Sequence, residues 1–426
     1  MNLNIIDKII TVKNDLKSIA FFKSIFLQII IHFSGLVGGI LVIRFLSISD
    51  YAIYVVSNTV LSSMVLVADA GITSGVLSQG GKVFDNREKF SDVIVTGLKL
   101  RKKFTKISLL IFSPILFYLL IKNSCSINFA IITAICVIFL FYSRVYESIL
   151  EVPLQLKLEV IKLQKIRLYQ SLIKLFFNGA VLFVFPVAFI GLLGNLFSQY
   201  FVNNKLKKNS EKYFDQKQSE DSEIKDEILI FVRRLLPSSL YFSISGQMTI
   251  WLISFYGNPE CLAQVAALGR FEIPFIIFGS ALYSYLIPQF ARLSENKKTL
   301  RSTYVKSIII YLFFGFSILI GLVVFSGFLL KILGSQYTEL KNEFSLLMLS
   351  SCIMFINSGI QGLNYSRGWI FPAVFLIPFS FIYLLTCVIF FNPHDTISAA
   401  VFSLFISLQF LITNITLSIL GLKGLK

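Results

Sequence analysis

Long apolar runs alternate with short polar gaps along the whole chain of 426 residues. Each run has about the 20 residues that an α-helix needs to cross the hydrocarbon core of a bilayer. The pattern therefore predicts an all-α integral membrane protein with twelve transmembrane helices. The predicted spans are residues 20–43, 52–77, 104–121, 127–150, 168–185, 187–203, 228–255, 262–290, 307–330, 342–364, 368–391 and 396–420.

The fifth and sixth predicted spans meet at Phe185-Pro186-Val187. Proline lacks an amide proton and has a fixed φ angle, so it indicates either a tight turn or a kink here. A turn would separate two spans, whereas a kink would leave one long broken helix. The second interpretation would move every later gap to the opposite side of the membrane, and the basic gap at 203–234 would then face outward.

The basic residues are divided unequally between the gaps. Lysine and arginine fill the N-terminal tail and every second gap, whereas the alternate gaps hold only Arg44, Lys122, Lys331 and Lys341. Because basic segments of membrane proteins remain in the cytoplasm, the pattern predicts that both termini are cytoplasmic. Residues 5–19, which are apolar at three- and four-residue spacing, fit either an amphipathic helix on the membrane surface or a disordered tail.

Composition and motifs exclude several classes of protein. The net charge of +16 is confined to gaps that flank the spans, so anionic lipid headgroups explain it better than nucleic acid. The five cysteines form no CxxC pair and no cluster with histidine, so neither a metal site, a redox site nor a cofactor is indicated. No phosphate-binding GxxxxGKS/T pattern is present, and the external gaps are too short for a catalytic domain. A transporter, not an enzyme, is predicted.

A polar stretch at 204–227 divides the chain into two halves of similar length with six predicted spans each. We therefore predict an N-terminal six-helix lobe (1–203), a cytoplasmic linker (204–227) and a C-terminal six-helix lobe (228–426). Two halves with the same orientation indicate an internal repeat, in which two bundles are related by a pseudo-twofold axis.

Charged side chains inside membrane spans are rare and usually face a cavity or a partner. Arg144, Lys174 and Arg270 are cations of this kind, and each is a candidate to bind a phosphate or an acidic sugar. Arg144 also fits a structural ion pair with Glu147, which lies on the same helix face. Lys174 also fits a side chain that extends to the cytoplasmic interface. Arg270 and Glu272 are two residues apart, so their side chains should not face each other.

Asp69, Glu147, Glu272 and His32 are candidates for coupling the entry of protons or sodium ions to transport. A carboxylate in a low-dielectric environment takes up a proton more readily, and histidine titrates near neutral pH. Asp69 equally fits a capping or pairing role that fixes the first two spans. His32 equally fits a packing role on an apolar helix.

Four segments carry a family resemblance. Residues 44–54 (RFLSISDYAIY) resemble the first external turn of bacterial polysaccharide and O-antigen flippases, except that Ala52 replaces their usual glycine. Residues 68–74 (ADAGITS) resemble the end of their second span. Residues 285–293 (YLIPQFARL) and 333–337 (LGSQY) resemble the end of their eighth span and the turn after the ninth. These flippases are the Wzx-like branch of the multidrug/oligosaccharidyl-lipid/polysaccharide (MOP) exporter superfamily.

The resemblance implies a MATE-like fold and a function. Such a protein moves an undecaprenyl-pyrophosphate-linked oligosaccharide, which is an O-antigen or capsule repeat unit, to the outer leaflet of the bacterial inner membrane by alternating access. The implied partners are this lipid-linked glycan, membrane lipids and the polymerase and chain-length machinery, without nucleic acid. Two alternatives remain. An ion-coupled drug or cation antiporter of the same fold would favour a net acidic site, and a membrane polysaccharide polymerase is disfavoured by the short external gaps.

Overall fold

The computed structural model describes residues 26–423, apart from 158, 217, 219, 220, 292–296, 368, 370, 372 and 392. This part of the chain is α-helical and contains no strand. The predicted amphipathic segment 5–19 lies outside the described residues, as do the last two residues of the motif at 285–293. The helices are α1 (Phe26–Phe45), α2 (Ile48–Asp69), α3 (Ile72–Val83), α4 (Arg87–Lys122), α5 (Ile127–Leu156), α6 (Val160–Phe176), α7 (Leu182–Val184), α8 (Ala188–Ser210), α9 (Ser222–Tyr256), α10 (Pro259–Leu268), α11 (Ile273–Ala291), α12 (Lys297–Val324), α13 (Ser326–Leu333), α14 (Lys341–Ser366), α15 (Ala373–Phe391) and α16 (Thr396–Lys423).

Nine helical segments in the described ranges are long and apolar enough to cross a membrane. They are α1, α2, α4, α5, the α10–α11 segment, α12, α14, α15 and α16. The other three predicted spans fall on α6 with α7, on α8 and on α9. The prediction of an all-α, multi-pass membrane protein is confirmed.

The turn at residues 185–187 closes a helical hairpin. Val187 is extended and α8 begins directly after it. The rings of Phe177 and Phe197 stack at 5.3 Å, and Tyr169 packs edge-on against Phe201 at 6.2 Å between ring centroids. The residue number of the first partner rises from 169 to 177 while that of its partner on α8 falls from 201 to 197, so the two helical segments are antiparallel. The interpretation as two separate spans is therefore correct.

The described residues form two compact units. Unit 1 holds the residues up to Val42, then Val60–Tyr118 and Ile127–Leu240, and unit 2 holds Ile43–Thr59, Leu119–Ser126 and the residues from Tyr241 onward. In unit 1, α8 packs on α5 and α6, and α3 packs on α5. In unit 2, α14 packs on α11, α12 and α16.

Glycines of α14 allow close helix packing in unit 2. A Cβ atom on Gly359 would lie 2.6 Å from the ring of Tyr311 of α12, and one on Gly362 would lie 2.6 Å from the ring of Tyr283 of α11. Small residues at such spacing let helix backbones and large neighbouring rings approach each other inside a membrane.

The described part of the 204–227 stretch belongs to unit 1 and makes contacts within it. The Tyr213 hydroxyl donates a hydrogen bond of 2.8 Å to Glu159, and the amide of Asp215 donates one of 2.8 Å to the Ser91 hydroxyl. Helices α8 and α9 extend into the stretch from either side. The proposed lobe boundaries at 203 and 228 stay a prediction.

Asp395 caps the N-terminus of α16. Its carboxylate accepts a hydrogen bond of 2.8 Å from the Ser398 amide, and its own amide donates to the Ser398 hydroxyl at 3.2 Å. Hydrogen bonding by Ser398, together with nearby His394, holds the pKa of Asp395 below its ordinary value of 3.8.

We expect Asp395→Ala to lower the free energy of unfolding by about 1 kcal/mol, because an N-cap residue satisfies a free helical amide. Asp395→Asn should retain most of the stability. Because the pKa is lowered by folding, the charge-dependent part of the stabilisation is present above pH 3.8 and is lost as the pH falls through the folded-state pKa. Thermal unfolding in detergent, measured from about pH 7 down to about pH 2 so that the range extends well below the ordinary pKa of an aspartate, checks both statements. A pH dependence that Asp395→Asn leaves unchanged would contradict the second.

Candidate functional site

An ion pair between the buried carboxylate of Glu151 and the exposed side chain of Arg167 sets the register between α5 and α6. The Arg167 guanidinium donates to both carboxylate oxygens of Glu151 at 2.8 and 2.9 Å. Arg144 stands seven residues before Glu151, and Lys174 stands seven residues after Arg167. Seven residues are about two helical turns, or roughly 10.5 Å. Since α5 and α6 are antiparallel, the pair brings Arg144 and Lys174 to the same level.

Amide side chains join α5, α6 and α8 between these two levels. Gln170 donates to Gln199 at 3.0 Å, and Gln199 donates to the Glu147 carboxylate at 2.7 Å. One turn further along α8, Asn203 donates to the backbone oxygen of Ser143 at 2.5 Å. These residues, together with Arg144, Glu151, Arg167 and Lys174, are called the polar ladder of unit 1.

Arg144 and Lys174 form the cationic end of the polar ladder. Both side chains are half-buried, and the charges of Arg144 and Glu147 act on Lys174, the repulsion from Arg144 being the stronger. Within the described part of the chain, neither cation makes a hydrogen bond or an ion pair. The ion pair between Arg144 and Glu147 that the sequence allows is therefore not formed among these residues. Instead, the carboxylate of Glu147 is held by Gln199.

Asp69 lies elsewhere in unit 1 and is paired. It forms an ion pair with Arg101 of α4, whose side chain is 1% exposed. The Thr73 hydroxyl donates to the same carboxylate at 2.5 Å, and Arg101 donates to Ser148 at 2.9 Å. The contacts tie α2, α3, α4 and α5 together at the point where the backbone turns through Gly71 with φ 86°. This arrangement supports the capping and pairing interpretation of Asp69, and ion coupling by Asp69 stays a prediction.

In unit 2, Arg270 lies in the 3₁₀ turn Gly269–Glu272 between α10 and α11. Its Nε atom is buried and has no hydrogen-bond partner among the residues that the structure describes. The hydroxyls of Tyr51 and Tyr54, whose rings stack at 6.4 Å, are within electrostatic reach of its guanidinium. Both tyrosines belong to the motif at 44–54, so these two positions of the motif lie close to Arg270.

Glu272 lines a cavity of unit 2 with a volume of about 400 Å³, and Arg270 is not among the described lining residues. Hydroxyls of Thr249, Ser351 and Ser358 line this cavity, and so does the ring of Phe355. The Ser351 hydroxyl lies near this carboxyl group and donates a hydrogen bond of 2.9 Å to the backbone oxygen of Leu347. Glu272 forms no ion pair with any described residue. The cavity therefore presents one carboxyl group among hydroxyls and aromatic rings.

The candidate His32 and the first residue of the motif at 44–54, Arg44, have few polar contacts. His32 is half-buried on α1 and has no hydrogen-bond partner among the described residues. Arg44 donates to the backbone oxygens of Ile332 at 2.7 Å and Lys331 at 3.0 Å. It thereby caps the C-terminus of α13, where free carbonyl groups favour a cation. Glycine at position 334, with φ 138°, then turns the chain in the motif at 333–337.

The family is decided by a sequence comparison. The sequence model of the family described as "polysaccharide biosynthesis protein" matches residues 41–342, which is more than half of the chain. The chain belongs to this family. The polysaccharide biosynthesis and flippase resemblance predicted from the motifs is thereby confirmed. None of the curated proteins matches the chain.

Solved structures show the fold. A structure described as the inward-facing conformation of a multidrug resistance MATE family transporter of the MOP superfamily is similar with a TM-score of 0.71 and 14% identity, covering 92% of this chain and 94% of that one. An outward-facing conformation of such a transporter has a TM-score of 0.61 and 13% identity over 95% and 94%. MATE in complex with MaL6 has 0.60 and 14% over 94% and 95%. The fold of this family member is thus MATE-like, and a twelve-helix, two-bundle layout fits it.

Several residues of the site escaped the sequence analysis. Arg101 stands in a basic gap, where the topology rule alone accounts for a cation, whereas α4 continues through it and buries it. Gln170, Gln199 and Asn203 are uncharged and carry no motif. A spacing of three or four residues between polar positions on α8 (195, 199, 203) was the available signal for the ladder.

Proposed function

We propose that this family member is a flippase for an undecaprenyl-pyrophosphate-linked oligosaccharide. It moves the headgroup from the cytoplasmic to the outer leaflet of the bacterial inner membrane by alternating access, with both termini in the cytoplasm and without catalysing a reaction. The observation that carries the proposal is the cationic end of the polar ladder. There, the half-buried cations Arg144 and Lys174 stand at the same level of α5 and α6, where their like charges repel each other.

An anionic headgroup would remove this repulsion. Two like charges at close range in a medium of low dielectric constant destabilise each other. A pyrophosphate between them would form charge-assisted hydrogen bonds with both, and arginine can bind phosphate through two parallel bonds. The amides of Gln170, Gln199 and Asn203 provide donors and acceptors for sugar hydroxyls, which cost several kcal/mol when they are left unsatisfied in an apolar medium.

The cavity of unit 2 supports a role for Glu272 in coupling. A carboxyl group without an ionic partner can take up a proton, and hydroxyl oxygens together with a carboxylate are ligands of the kind that bind hard cations such as sodium. Of the four coupling candidates, Glu272 is the one that lines this cavity.

Replacing Glu272 by glutamine should therefore remove the dependence of transport on an imposed proton or sodium gradient. We expect the gradient-driven rate in proteoliposomes to fall at least about tenfold, which corresponds to about 1.4 kcal/mol, whereas the rate without a gradient stays within about twofold. Glu260→Gln is the matched control, because Glu260 is exposed at the start of α10 and bonds only its neighbour Gln264. A gradient response that is equal in both variants would remove Glu272 from the mechanism.

The second candidate function is a drug or cation antiporter. The same cavity favours it, since Glu272 with Phe275, Phe355 and Phe410 could hold an organic cation by charge and cation–π contact. Export of a fluorescent organic cation that Glu272→Gln abolishes would support this candidate. The cationic end of unit 1 favours an anion and is the reason for preferring the flippase.

Deletion of the gene in its host tests the proposed function. We expect lipid-linked repeat units to accumulate with their sugars accessible only from the cytoplasm, and the surface glycan to disappear. A surface glycan that is unchanged, together with a loss of drug resistance, would contradict the flippase and support the antiporter.

A further inference from the structure

A second cavity lies on unit 1 between α4, α5 and α8. Its volume is about 450 Å³, which is within the usual range for small-molecule sites. Lys99 and Lys102 line it from α4, and Lys207 lines it from α8. Asn203, Asn204 and Gln216 contribute amide groups, and no carboxylate is among the described residues that line the cavity. We call this cavity the lysine pocket.

The charge of the lysine pocket is poorly compensated by the protein. Lys99 and Lys102 are three residues apart, so they share one face of α4, and like charges at this spacing destabilise a helix. Neither forms an ion pair with a described residue. Lys207 lies 3.8 Å from Glu211 in an exposed pair, and such pairs contribute little. Three cations from two helices therefore converge on one cavity that is open to an anion.

The lysine pocket is continuous with the polar ladder. Asn203 lines the pocket, and its side-chain oxygen accepts a hydrogen bond of 3.3 Å from Gln199. Gln199 donates in turn to Glu147, whose charge acts on Lys174. A path of polar side chains thus leads from the pocket to the cationic end of the ladder without leaving unit 1.

We propose that the lysine pocket binds the phosphate or pyrophosphate group of an anionic ligand before that group reaches Arg144 and Lys174. The chemistry recognised is a phosphate ester or pyrophosphate with two or more negative charges, since lysine binds phosphate as a point charge. Apolar side chains of Val95, Leu98 and Leu150 beside the lysines provide a surface for an acyl or prenyl chain. The role as a first station for transported lipid rests on the proposed function, whereas anion binding does not.

Binding to the purified full-length protein in detergent tests the proposal. The probes are inorganic pyrophosphate and farnesyl pyrophosphate, measured by calorimetry at two salt concentrations. The variant is Lys99→Ala with Lys102→Ala. The matched control is Lys103→Ala with Lys106→Ala, which removes the same charge at the same spacing from exposed positions of α4 that do not line the pocket. Unfolding temperatures establish that both double variants are folded.

We expect the pocket variant to bind both probes about a hundredfold more weakly, because two charge-assisted hydrogen bonds are lost, while the control changes binding less than about threefold. Equal losses in the two double variants would overturn the proposal, because they would show that the probes respond to the overall surface charge and not to the pocket.

Tighter binding of farnesyl pyrophosphate than of pyrophosphate would identify a lipid headgroup as the source, and equal binding would identify a free anion. A pocket that binds as expected in a protein that flips no lipid would refute the proposed function and leave the anion site intact.

Discussion

Replacing Lys174 by glutamine is expected to reduce surface glycan in a gene-deletion strain to about 10% or less of the wild-type level. The change removes one charge from the cationic end and leaves Arg144 and Glu147 in place. A hydrogen bond to a charged group contributes about 1.5–3 kcal/mol, which corresponds to a factor of about 10 to 100 in the rate of a step that depends on it. Quantitative staining of surface glycan, with the protein level measured by immunoblot, gives the result.

Two variants make this measurement specific. Lys174→Arg keeps the charge and should retain a substantial part of the function, although arginine and lysine are not equivalent at every site. Lys165→Gln removes an exposed lysine from the same helix and should have little effect. Arg144→Gln should behave like Lys174→Gln. Full export by both Lys174→Gln and Arg144→Gln would show that the cationic end does not bind the transported group.

Replacing Asp69 by asparagine is expected to destabilise unit 1 by about 3–5 kcal/mol, because it leaves the buried guanidinium of Arg101 without its carboxylate. Thermal unfolding of the detergent-solubilised protein measures the loss. The effect on transport should follow the amount of folded protein. An asparagine variant that unfolds at the wild-type temperature but no longer responds to a proton gradient would instead assign Asp69 to ion coupling.

The double variant Asp69→Asn with Arg101→Gln separates pairing from packing. If the two groups stabilise unit 1 mainly through each other, the second substitution should recover about 1–3 kcal/mol relative to the sum of the single changes. Strict additivity would mean that each residue acts through other contacts, such as those of Thr73 and Ser148.

The membrane-spanning architecture could be predicted from the sequence because hydrocarbon thickness fixes the length of an apolar run. The turn at Pro186 was also recognisable, since proline interrupts a helix by a local effect. Helix bounds were less predictable. Helix α4 continues from Arg87 through five basic residues, at positions 99, 101, 102, 103 and 106, because a helix can leave the membrane without ending.

The sequence did not predict that Arg144 and Lys174 lie at the same level of two neighbouring helices, although it indicated each of them as a candidate to bind phosphate. Their proximity depends on the rotation and axial shift of α6 relative to α5, which are set by tertiary contacts such as the pair of Glu151 with Arg167. The lysine pocket escaped prediction for a different reason. Lysines near a membrane surface satisfy the topology rule whether or not they also bind a ligand.

Lipid translocation by the purified protein in vesicles is the most direct test of the central claim, which is that this chain moves a pyrophosphate-linked glycan with the aid of paired cations in unit 1. The measurement is the initial rate at which a short-chain lipid-pyrophosphate oligosaccharide becomes accessible on the opposite face, with and without an imposed potential. We expect rapid translocation by the wild-type protein and none by Lys174→Gln. The wild-type rate should increase under a potential that favours outward movement of an anion, because such a potential contributes about 2.3 kcal/mol per charge per 100 mV. Translocation at the rate of protein-free vesicles, in a preparation that still exports an organic cation, would contradict it.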